Sequence, residues 1–528
     1  MDDPNNNRFR QALLHGFAAT SASRSGVASS SGVRSPLHTS GSAAASRSGV
    51  ASSSAVKTPL YSSGSVAANR SAVASSSGVR SSARTSGSVA AQSSSGIDPY
   101  SARTAYWAGP EHVPESVADL GVRQPILEDL ALKILYSSGP FSLRELVSHI
   151  RLPFSVVNEL LRRMRAEQLC EVTGMTGNIP QIAITSQGRS RATELLMANQ
   201  YTGPAPVSLE HYKQQVQVQS ARHLDVDEPV VANAFAHLVL DADILEKLGT
   251  ALNSGTSIFL YGPSGTGKTA IATAVAKVLA IDRVWIPYAV EVEGQIICVY
   301  DPDAHKRIND AAAQSGDARW VLCHRPSVLV GGELTLEMLE LQYSPITKFY
   351  SAPVQMKANN GVLVIDDFGR QRMRPEELLN RWVVPLDRRI DFLGLAGGKK
   401  IEVPFEPCVV FATNLDPSSL GDEAFLRRIQ TKIKVGSVSE QQFHDIFRAV
   451  CSTCELQCDS DVVDELIKTI QMELKQPLRA CHPQDLVNRI CWRARYKRSQ
   501  PCLDRDTLLA AAGDYFLPET NPPMHGIV

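Results

Sequence analysis

The stretch that decides the fold is IFLYGPSGTGKTAIATAVAKVL, residues 258–279. It opens with a large-residue apolar run typical of a buried strand, passes through a glycine-rich turn and ends in an alanine-rich run typical of a helix. The turn fits the pattern G-x-x-x-x-G-K-[ST]. In such a loop the backbone N–H groups point at phosphate oxygens, Lys268 reaches the β and γ phosphates, and the Thr269 hydroxyl ligates magnesium. The sequence therefore predicts a nucleotide-phosphate site.

Two later apolar runs end in polar side chains of the kind that act on a bound nucleotide. The run GVLVIDDFGRQ ends its apolar part at Asp366 and Asp367, and CVVFATNLDP ends its own at Asn414. One carboxylate at a strand tip can hold magnesium through water, and a second can polarise the attacking water. A neutral amide can orient that water without competing for the metal. Paired acidic residues at a strand end also serve as helix caps, which is the alternative for Asp366 and Asp367.

A basic pair follows on the segment DEAFLRRIQTKI, residues 422–433. We expect a short amphipathic helix here, with Arg427 and Arg428 placed where a cation could reach a phosphate in a neighbouring subunit. An ordinary surface ion pair is the alternative.

With these four elements in this order, the segment from about residue 230 to 515 resembles the AAA+ ATPases. The resemblance implies an α/β P-loop core with a parallel sheet and a helical lid, ATP and Mg²⁺ as cofactors, and ATP hydrolysis at the subunit interfaces of a ring, usually a hexamer. It also implies that Asp366 and Asp367 are the Walker B pair, Asn414 is sensor 1 and Arg428 is the trans-acting arginine finger, with Arg427 as the nearby alternative. The implied nucleotide-binding residues are Gly262, Pro263, Ser264, Gly265, Thr266, Gly267, Lys268, Thr269, Ala270 and Asp366, of which Thr269 and Asp366 would hold the magnesium ion.

Two positions depart from the AAA+ pattern. The family commonly has Glu where this chain has Asp367, and one methylene less moves the carboxylate by roughly an ångström relative to the water, which would slow hydrolysis. In ACHPQDLVN, Gln484 stands where related sequences usually have the sensor 2 arginine. Arg479 lies close enough in sequence to substitute for it. ATP binding is thus better supported than fast turnover.

Within AAA+, the segment RIDFLGLAGGKKIEVPFEP predicts a hairpin with Gly397 and Gly398 at its tip. It resembles the pre-sensor-1 hairpin of MoxR-like clades, which helps a ring grip its target. The segments GGELTLEMLELQ, DDFGRQ and LLNRWVVPLDRR are similar to segments of bacterial AAA+ proteins that are described as chaperone-type ATPases associated with Flp pilus assembly.

The residues before the ATPase segment predict a smaller domain. SLRELVSHI opens with a capping box between Ser142 and Glu145, and two β-prone runs flank a glycine-containing turn. The resulting order of helices and hairpin resembles a winged helix-turn-helix over about residues 120–198. The predicted divisions of the chain are a repeat tail, a winged-helix domain, a linker, an ATPase core, and a helical lid with the C-terminal tail, at residues 1–99, 100–200, 201–225, 226–437 and 438–528.

The third helix of a DNA-binding winged helix enters the major groove. In this chain it would carry Arg162, Arg163 and Arg165. Glu159 and Glu167 lie on the same segment, so protein docking or a structural role is favoured over DNA contact.

The N-terminal tail repeats a 23-residue unit three times between Ser21 and Val89. Each copy is mostly Ser, Gly and Ala, so stacked copies could not bury enough apolar surface to fold, and we predict disorder. Between Asp3 and Asp98 there are eight arginines and Lys57 but no acidic residue. A solvated spacer is the favoured interpretation, and weak tethering to an acidic surface is the alternative.

Bulk composition sets broad limits. The 528 residues are too many for one domain, and 53 basic against 54 acidic side chains give no global attraction to nucleic acid or membrane. The start MDDPNNNRFR has no hydrophobic leader, and no apolar run approaches about 18 residues, so we expect a cytoplasmic protein without a membrane span. Its ten cysteines would then be reduced thiols.

Metal binding in the lid is a further possibility. Cys451, Cys454 and Cys458 have C-x-x-C-x-x-x-C spacing, with Cys481 and His482 farther on, which suits zinc or an iron–sulfur cluster. The helical pattern also places two of these thiols on an apolar face, where they act as small hydrophobic groups, and this interpretation is favoured.

The favoured function is ATP hydrolysis by a homo-oligomeric ring that remodels or assembles a protein partner. The first alternative is a DNA-binding regulator in which ATP occupancy gates the winged helix. The second is a nucleotide-dependent scaffold that does not hydrolyse ATP. Because the predicted recognition helix carries mixed charge, DNA is possible but not favoured as a partner.

Overall fold

The computed structural model describes Pro110 and residues 113–309, 316–417 and 426–516. The prediction of a disordered tail at residues 1–99 lies outside these residues. The described α-helices, α1 to α15 in chain order, are Gln124–Ser138, Leu143–Ile150, Phe154–Ala166, Ser186–Ala198, Leu209–Val218, Glu228–Phe235, Ala242–Ser254, Lys268–Leu279, Val354–Lys357, Pro375–Arg381, Val383–Arg388, Glu440–Thr453, Ser460–Lys468, Cys481–Lys497 and Arg505–Tyr515.

The described strands, β1 to β17 in chain order, are Phe141–Ser142, Cys170–Thr176, Ile179–Ile184, Val207–Ser208, Ile258–Tyr261, Arg283–Pro287, Ala289–Val292, Gln295–Cys298, Trp320–His324, Ser327–Val330, Gln342–Tyr343, Tyr350–Ser351, Val362–Ile365, Ile390–Gly394, Lys400–Pro404, Cys408–Thr413 and Thr431–Lys434. None of the described helices is both long and apolar enough to cross a bilayer.

The first unit of the described chain packs helices α1 to α4 against a small antiparallel sheet with strand order β1-β3-β2. The predicted capping box is present, because the Ser142 hydroxyl accepts from the Glu145 N–H while the Glu145 carboxylate accepts from the Ser142 N–H. Helix α3 buries Val156, Leu160 and Met164 in the core. Apolar spacing at i, i+4 and i+8 therefore sets which face of this helix points inward.

The segment predicted as a linker, residues 201–225, packs against the rest of the molecule. It contains β4 and α5, and it buries Tyr201, Val207 and Tyr212. Its composition predicts a proline-containing linker running into a polar helix, and the helix is present as α5. Tyr201 packs in the core of the first unit, whereas Val207 and Tyr212 pack with the ATPase segment.

The centre of the ATPase segment is a parallel sheet with strand order β10-β13-β16-β5-β17. This confirms the predicted α/β class and the three predicted buried strands. Alternate residues face opposite sides: Ile258 packs with helices α6 to α8, whereas Phe259 packs in an aromatic cluster with Phe368 and Phe411. Both faces of the sheet are covered, as the continuous apolar composition of these strands requires.

A second sheet, with strand order β11-β12-β8-β7-β4, takes four strands from the long insertion between the two Walker-type motifs and β4 from the segment before them. Arg319, directly before β9 of the insertion, connects the ATPase segment to the first unit. The Arg319 guanidinium pairs with Asp317 at 2.7 Å and donates to the carbonyls of Leu120 and Pro206, with both charged side chains at least 96% buried. The predicted hairpin is present as antiparallel β14 and β15, with Gly397 and Gly398 between them.

The lid contains helices α12 to α15 around a core that includes Phe443 and Phe447. Burial raises the pKa of the Cys451 thiol to about 12, and a hydrogen bond from Cys491 lowers the pKa of Cys454 to about 7. Cys451 is thus buried with the apolar residues of α12. In the part of the chain that the structure describes, no group of three or more His, Cys, Asp or Glu side chains is arranged to hold a metal ion.

Candidate functional site

The glycine-rich loop connects the carboxyl end of β5 to the first turn of α8. Gly262 has φ +143°, and a Cβ built on it would lie 2.1 Å from the Val435 carbonyl oxygen. Gly265 has φ +79°, and its Cβ would lie 2.5 Å from the Cys481 Sγ. Only glycine fits at these two positions, since each combines a left-handed backbone with a close neighbour. The loop is thus held between the end of the sheet and the lid.

Lys268 folds back into the loop. Its ammonium group donates to the carbonyls of Gly262 at 2.9 Å and Pro263 at 2.7 Å, and the residue is only 8% exposed. Burial lowers the pKa of Lys268, while the carboxylates of Asp366 and Asp367 act in the opposite direction. The positive end of α8 and this cation together favour an anion at the loop.

Thr269 and Asp366 meet across the sheet edge although they are 97 positions apart. The Thr269 hydroxyl donates to the two carboxylate oxygens of Asp366 at 2.9 Å and 3.2 Å. The next residue, Asp367, donates its backbone N–H to Asp366 at 2.9 Å and has a left-handed backbone with φ +47°. A hydroxyl and a carboxylate in contact form an oxygen donor set that fits Mg²⁺.

A cavity of about 700 Å³ opens in front of the loop. It brings together most of the predicted residues: Ser264, Gly265, Thr266, Gly267, Lys268, Thr269, Ala270, Asp366, Asp367 and Asn414. Gly262 and Pro263 are not part of its lining and contact Lys268 through their carbonyl groups. We call this space the phosphate cavity. Its volume is within the range of pockets that hold a nucleotide-sized ligand.

Sequence reasoning missed the wall of the phosphate cavity opposite the carboxylates. Residues 237–241 line it, together with Ile446 and Val450 from α12. The two sides are joined by a hydrogen bond from the Gln442 amide to the Asp241 carboxylate, 2.8 Å long. The periodicity of α12 indicated an apolar face but could not show that part of this face lines a cavity.

The lid closes onto the loop through the start of α14. The Cys481 N–H donates to the Gly265 carbonyl at 3.0 Å, and Gln484 and Asp485 line the phosphate cavity. Arg479 lies beside the loop but is not among the lining residues, and its Nε is buried without a hydrogen-bond partner in the described part of the chain. The neutral amide of Gln484 donates to Asn488 at 3.1 Å.

Arg427 and Arg428 lie away from the phosphate cavity of their own chain. They line a separate cavity of about 450 Å³ next to Thr256 and Ser257, just before the amino end of β5. Two more arginines, Arg222 and Arg389, complete what we call the arginine cavity.

The helix predicted for residues 422–433 is wrong at its carboxyl end. Thr431–Lys434 form strand β17, which pairs in parallel with β5, because the β-branched and apolar residues of this segment complete the edge of the sheet. Residues 418–425 lie outside the described part of the chain.

Comparisons with known protein families match two segments of the chain. Residues 258–437 match the model of the ATPase family associated with various cellular activities (AAA), and residues 439–513 match a domain of unknown function, DUF8689. No curated protein matches the chain.

Two of the solved structures that match the chain come from bacterial proteins. NtrX from Brucella abortus, in complex with ATP, is 15% identical over 58% of this chain and 62% of its own, with a TM-score of 0.34. The Holliday junction branch migration motor RuvB from Thermotoga maritima is 14% identical over 52% of this chain and 68% of its own, with a TM-score of 0.30. This chain thus spans less than two thirds of the length of NtrX.

Proposed function

We propose that the AAA domain at residues 258–437 makes this chain an ATPase that works as a homo-oligomer on a protein partner. The observation that carries the proposal is the contact between the Thr269 hydroxyl and the Asp366 carboxylate beside the buried Lys268 ammonium. Three groups that recognise a nucleotide and its metal, Lys268 and Thr269 at the start of α8 and Asp366 directly after β13, meet at one cavity.

The loop from Gly262 to Ala270 would bind the phosphates through its backbone N–H groups and Lys268. Thr269 and Asp366 would hold Mg²⁺, which neutralises charge on the phosphate oxygens when it is bound. Asp367 is exposed at the cavity and would accept a proton from the attacking water, and Asn414 would orient that water. Each role follows from the position of the side chain and its chemical type.

The trans-acting role of Arg428, or of Arg427, is supported by where the two residues lie. Because they line a cavity at the other end of β5, they cannot reach the phosphates of their own chain without a large rearrangement. A second subunit would supply them through a head-to-tail contact, and such contacts repeat into a ring when the rotation between subunits closes. A hexamer is the size that the resemblance implies.

We infer slow turnover from two positions. The short side chain of Asp367 stands farther from the water than a glutamate would, and Gln484 contributes no charge at the lid side of the cavity. Energy from ATP would then drive remodelling or assembly of a protein, as in chaperone-like ATPases of pilus assembly, inside the cytoplasm. The exposed Phe392 on the β14–β15 hairpin gives that surface an apolar contact for a partner.

The proposal is tested by measuring phosphate release by the purified full-length chain over a range of protein concentrations. A shared active site predicts that turnover per chain rises steeply as the oligomer forms. Turnover that is independent of concentration, in a chain shown to be monomeric, would contradict the shared site. ATP binding without any turnover in the assembled state, with the protein partner present, would favour a nucleotide-dependent scaffold.

The order of elements in the first unit favours a second candidate, an ATP-gated DNA-binding regulator. Helix, strand, two helices, a two-stranded hairpin and a closing helix follow one another in the order of a winged helix. On α3, Arg162 and Arg165 are exposed, whereas Arg163 pairs with Glu128 at 3.2 Å. Duplex binding that weakens steeply with salt and is lost in Arg162→Ala/Arg165→Ala would place this candidate first.

A further inference from the structure

The carboxyl-terminal half of α14 is unusually basic and carries two exposed rings. No acidic residue occurs between Leu486 and Leu503. The five cations of this stretch are Arg489, Arg493, Arg495, Lys497 and Arg498. Trp492 is 53% exposed and Tyr496 is 89% exposed. Large aromatic side chains are seldom this accessible unless they meet a partner, so this surface requires an explanation.

Helical geometry places the two rings side by side. Residues four apart are neighbours on a helix surface, so Trp492 and Tyr496 form one aromatic strip. Arg489 and Arg493 lie on one side of the strip, and Arg495 lies on the other. We call these five residues the basic-aromatic face. The opposite side of α14 is packed into the lid core by Leu486, Val487, Ile490 and Ala494.

Two of the three cations of this face have no carboxylate partner in the described part of the chain, and the third packs on a ring of the lid. Within the described residues, neither Arg493 nor Arg495 forms an ion pair with a carboxylate. Arg489 is placed over the ring of Tyr515 at 5.4 Å. Other arginines of the lid do pair, such as Arg505 with Glu465. The stretch from Leu486 to Leu503, with five cations and no acidic residue, is thus locally positive in a chain whose net charge is only −1.

We propose that the basic-aromatic face binds single-stranded nucleic acid. Cations along a helix face attract phosphates, and exposed rings stack on unpaired bases of any sequence. The two termini outside the described residues contain no polyanionic segment that could cover the face, since residues 4–97 have no acidic residue and residues 517–528 have only Glu519. The ligand that we propose is therefore another molecule.

Two other partners fit the face less well. An anionic membrane surface would attract the cations, but the aliphatic residues of α14 face the lid core, so only two rings are left to enter the headgroup region. The carboxylates of an acidic protein would match the cations but do not stack on Trp492 and Tyr496, whereas every base of a single strand does. A single strand offers phosphates to the cations and bases to the two rings.

The test is fluorescence anisotropy with an oligothymidine of about 20 nucleotides, longer than the site size of a typical single-strand binder. The full-length chain is titrated without ATP, so the result does not depend on the proposed ATPase activity. With about four phosphates neutralised, the affinity should fall roughly 50-fold between 50 and 200 mM salt. Trp492→Ala/Tyr496→Ala should weaken binding about tenfold or more, and Arg493→Ala/Arg495→Ala should also flatten the salt dependence.

Matched variants separate this surface from others. Tyr343→Ala removes an exposed ring in the insertion, Arg448→Ala removes a paired lid cation, and neither should change the affinity. Because both rings of the strip are exposed, Tyr496→Ala alone should leave the melting temperature unchanged while weakening binding.

Several results would overturn the proposal. The first is that the full-length chain does not bind oligothymidine at low salt. The second is that Trp492→Ala/Tyr496→Ala binds it as tightly as the unchanged chain does. The third is that only Arg162→Ala/Arg165→Ala loses binding. Tighter binding of polyglutamate or of phosphatidylserine vesicles than of oligothymidine, with no effect of the two rings, would assign the face to an acidic protein or a membrane instead.

Discussion

The phosphate cavity and the arginine cavity lie at opposite ends of β5 and have opposite chemistry. The first combines the glycine loop and Lys268 with four carboxylates, Asp241, Asp366, Asp367 and Asp485, and the second gathers four arginines with one carboxylate, Asp387. The first could hold a nucleotide and its metal but has no arginine in its lining, whereas the second has cations without a phosphate loop. The difference supports the proposal that each end is half of a site, which two copies of the chain would complete.

The largest expected effect is a loss of ATP affinity when the lysine of the phosphate cavity is removed, but not when another lysine of α8 is removed. Lys268→Ala should weaken ATP binding roughly 100-fold or more, because it removes a charged partner of the phosphates. Lys277→Ala, an exposed lysine in the last turn of the same helix, should leave the affinity unchanged. Isothermal titration with ATP and magnesium measures both. Equal losses in the two variants would point to general charge rather than to the loop.

The next effect separates binding from chemistry within the phosphate cavity. Asp367→Asn should keep the ATP affinity within a few fold and lower turnover about 100-fold, since the amide cannot accept the proton of the attacking water. Single-turnover phosphate release and nucleotide binding are measured on the same preparation. Full turnover by this variant would remove Asp367 from the proposed mechanism.

A smaller effect concerns how the lid holds the loop. Gly265→Ala should destabilise the chain by about 1–3 kcal/mol through backbone strain and contact with Cys481. Gly267→Ala is the matched control, because its φ of +95° is equally strained but its Cβ would meet nothing within 4 Å. Thermal melts without nucleotide should rank Gly265→Ala below Gly267→Ala, and adding Cys481→Ala should reduce the difference. Identical melts would show that the lid does not press on the loop.

The smallest expected effect is the pH dependence of the stability of the lid. Burial, and then the nearby Arg479, lower the pKa of His482 from 6.5 to about 4. The unfolded chain therefore binds a proton that the folded chain refuses between these values, so this residue makes the lid less stable as pH falls from 6.5 towards 4. Above pH 6.5 the contribution of His482 to the free energy of unfolding no longer changes with pH.

His482→Asn should flatten the slope of melting temperature against pH in that window. Thermal melts at intervals between pH 4 and pH 7 measure the slope, and His444→Asn, at a half-buried surface histidine that pairs with Asp464, is the control. An unchanged slope in His482→Asn would contradict burial of the neutral ring.

The two cavities also differ in how far the sequence predicts them. The loop and the tips of β13 and β16 follow from apolar runs that end in glycine, Asp366 or Asn414, because these patterns are local. The wall formed by residues 237–241 and α12 arises only when distant segments pack, and no local pattern marks it. For the same reason, the sequence does not predict that Arg222 and Arg389 line the arginine cavity.

The second sheet shows more clearly what cannot be predicted from the sequence. Its strands β4, β11 and β12 have two residues each, too few for a period-two pattern, and they pair across gaps of many residues. The segment 201–225 resembled a linker because its prolines are visible in the sequence, whereas the surface that buries Tyr212 is formed by the insertion.

The most direct test of a site shared between two copies is complementation by mixing. Lys268→Ala should lack a working phosphate cavity, and Arg428→Ala should lack a working arginine cavity, so each should be inactive alone. Mixing the two variants in equal amounts should restore a measurable fraction of ATP turnover, because some interfaces then pair an intact Lys268 with an intact Arg428. No turnover in mixed oligomers, whose mixing is verified by differently tagged chains, or full activity of Arg428→Ala alone, would contradict the account.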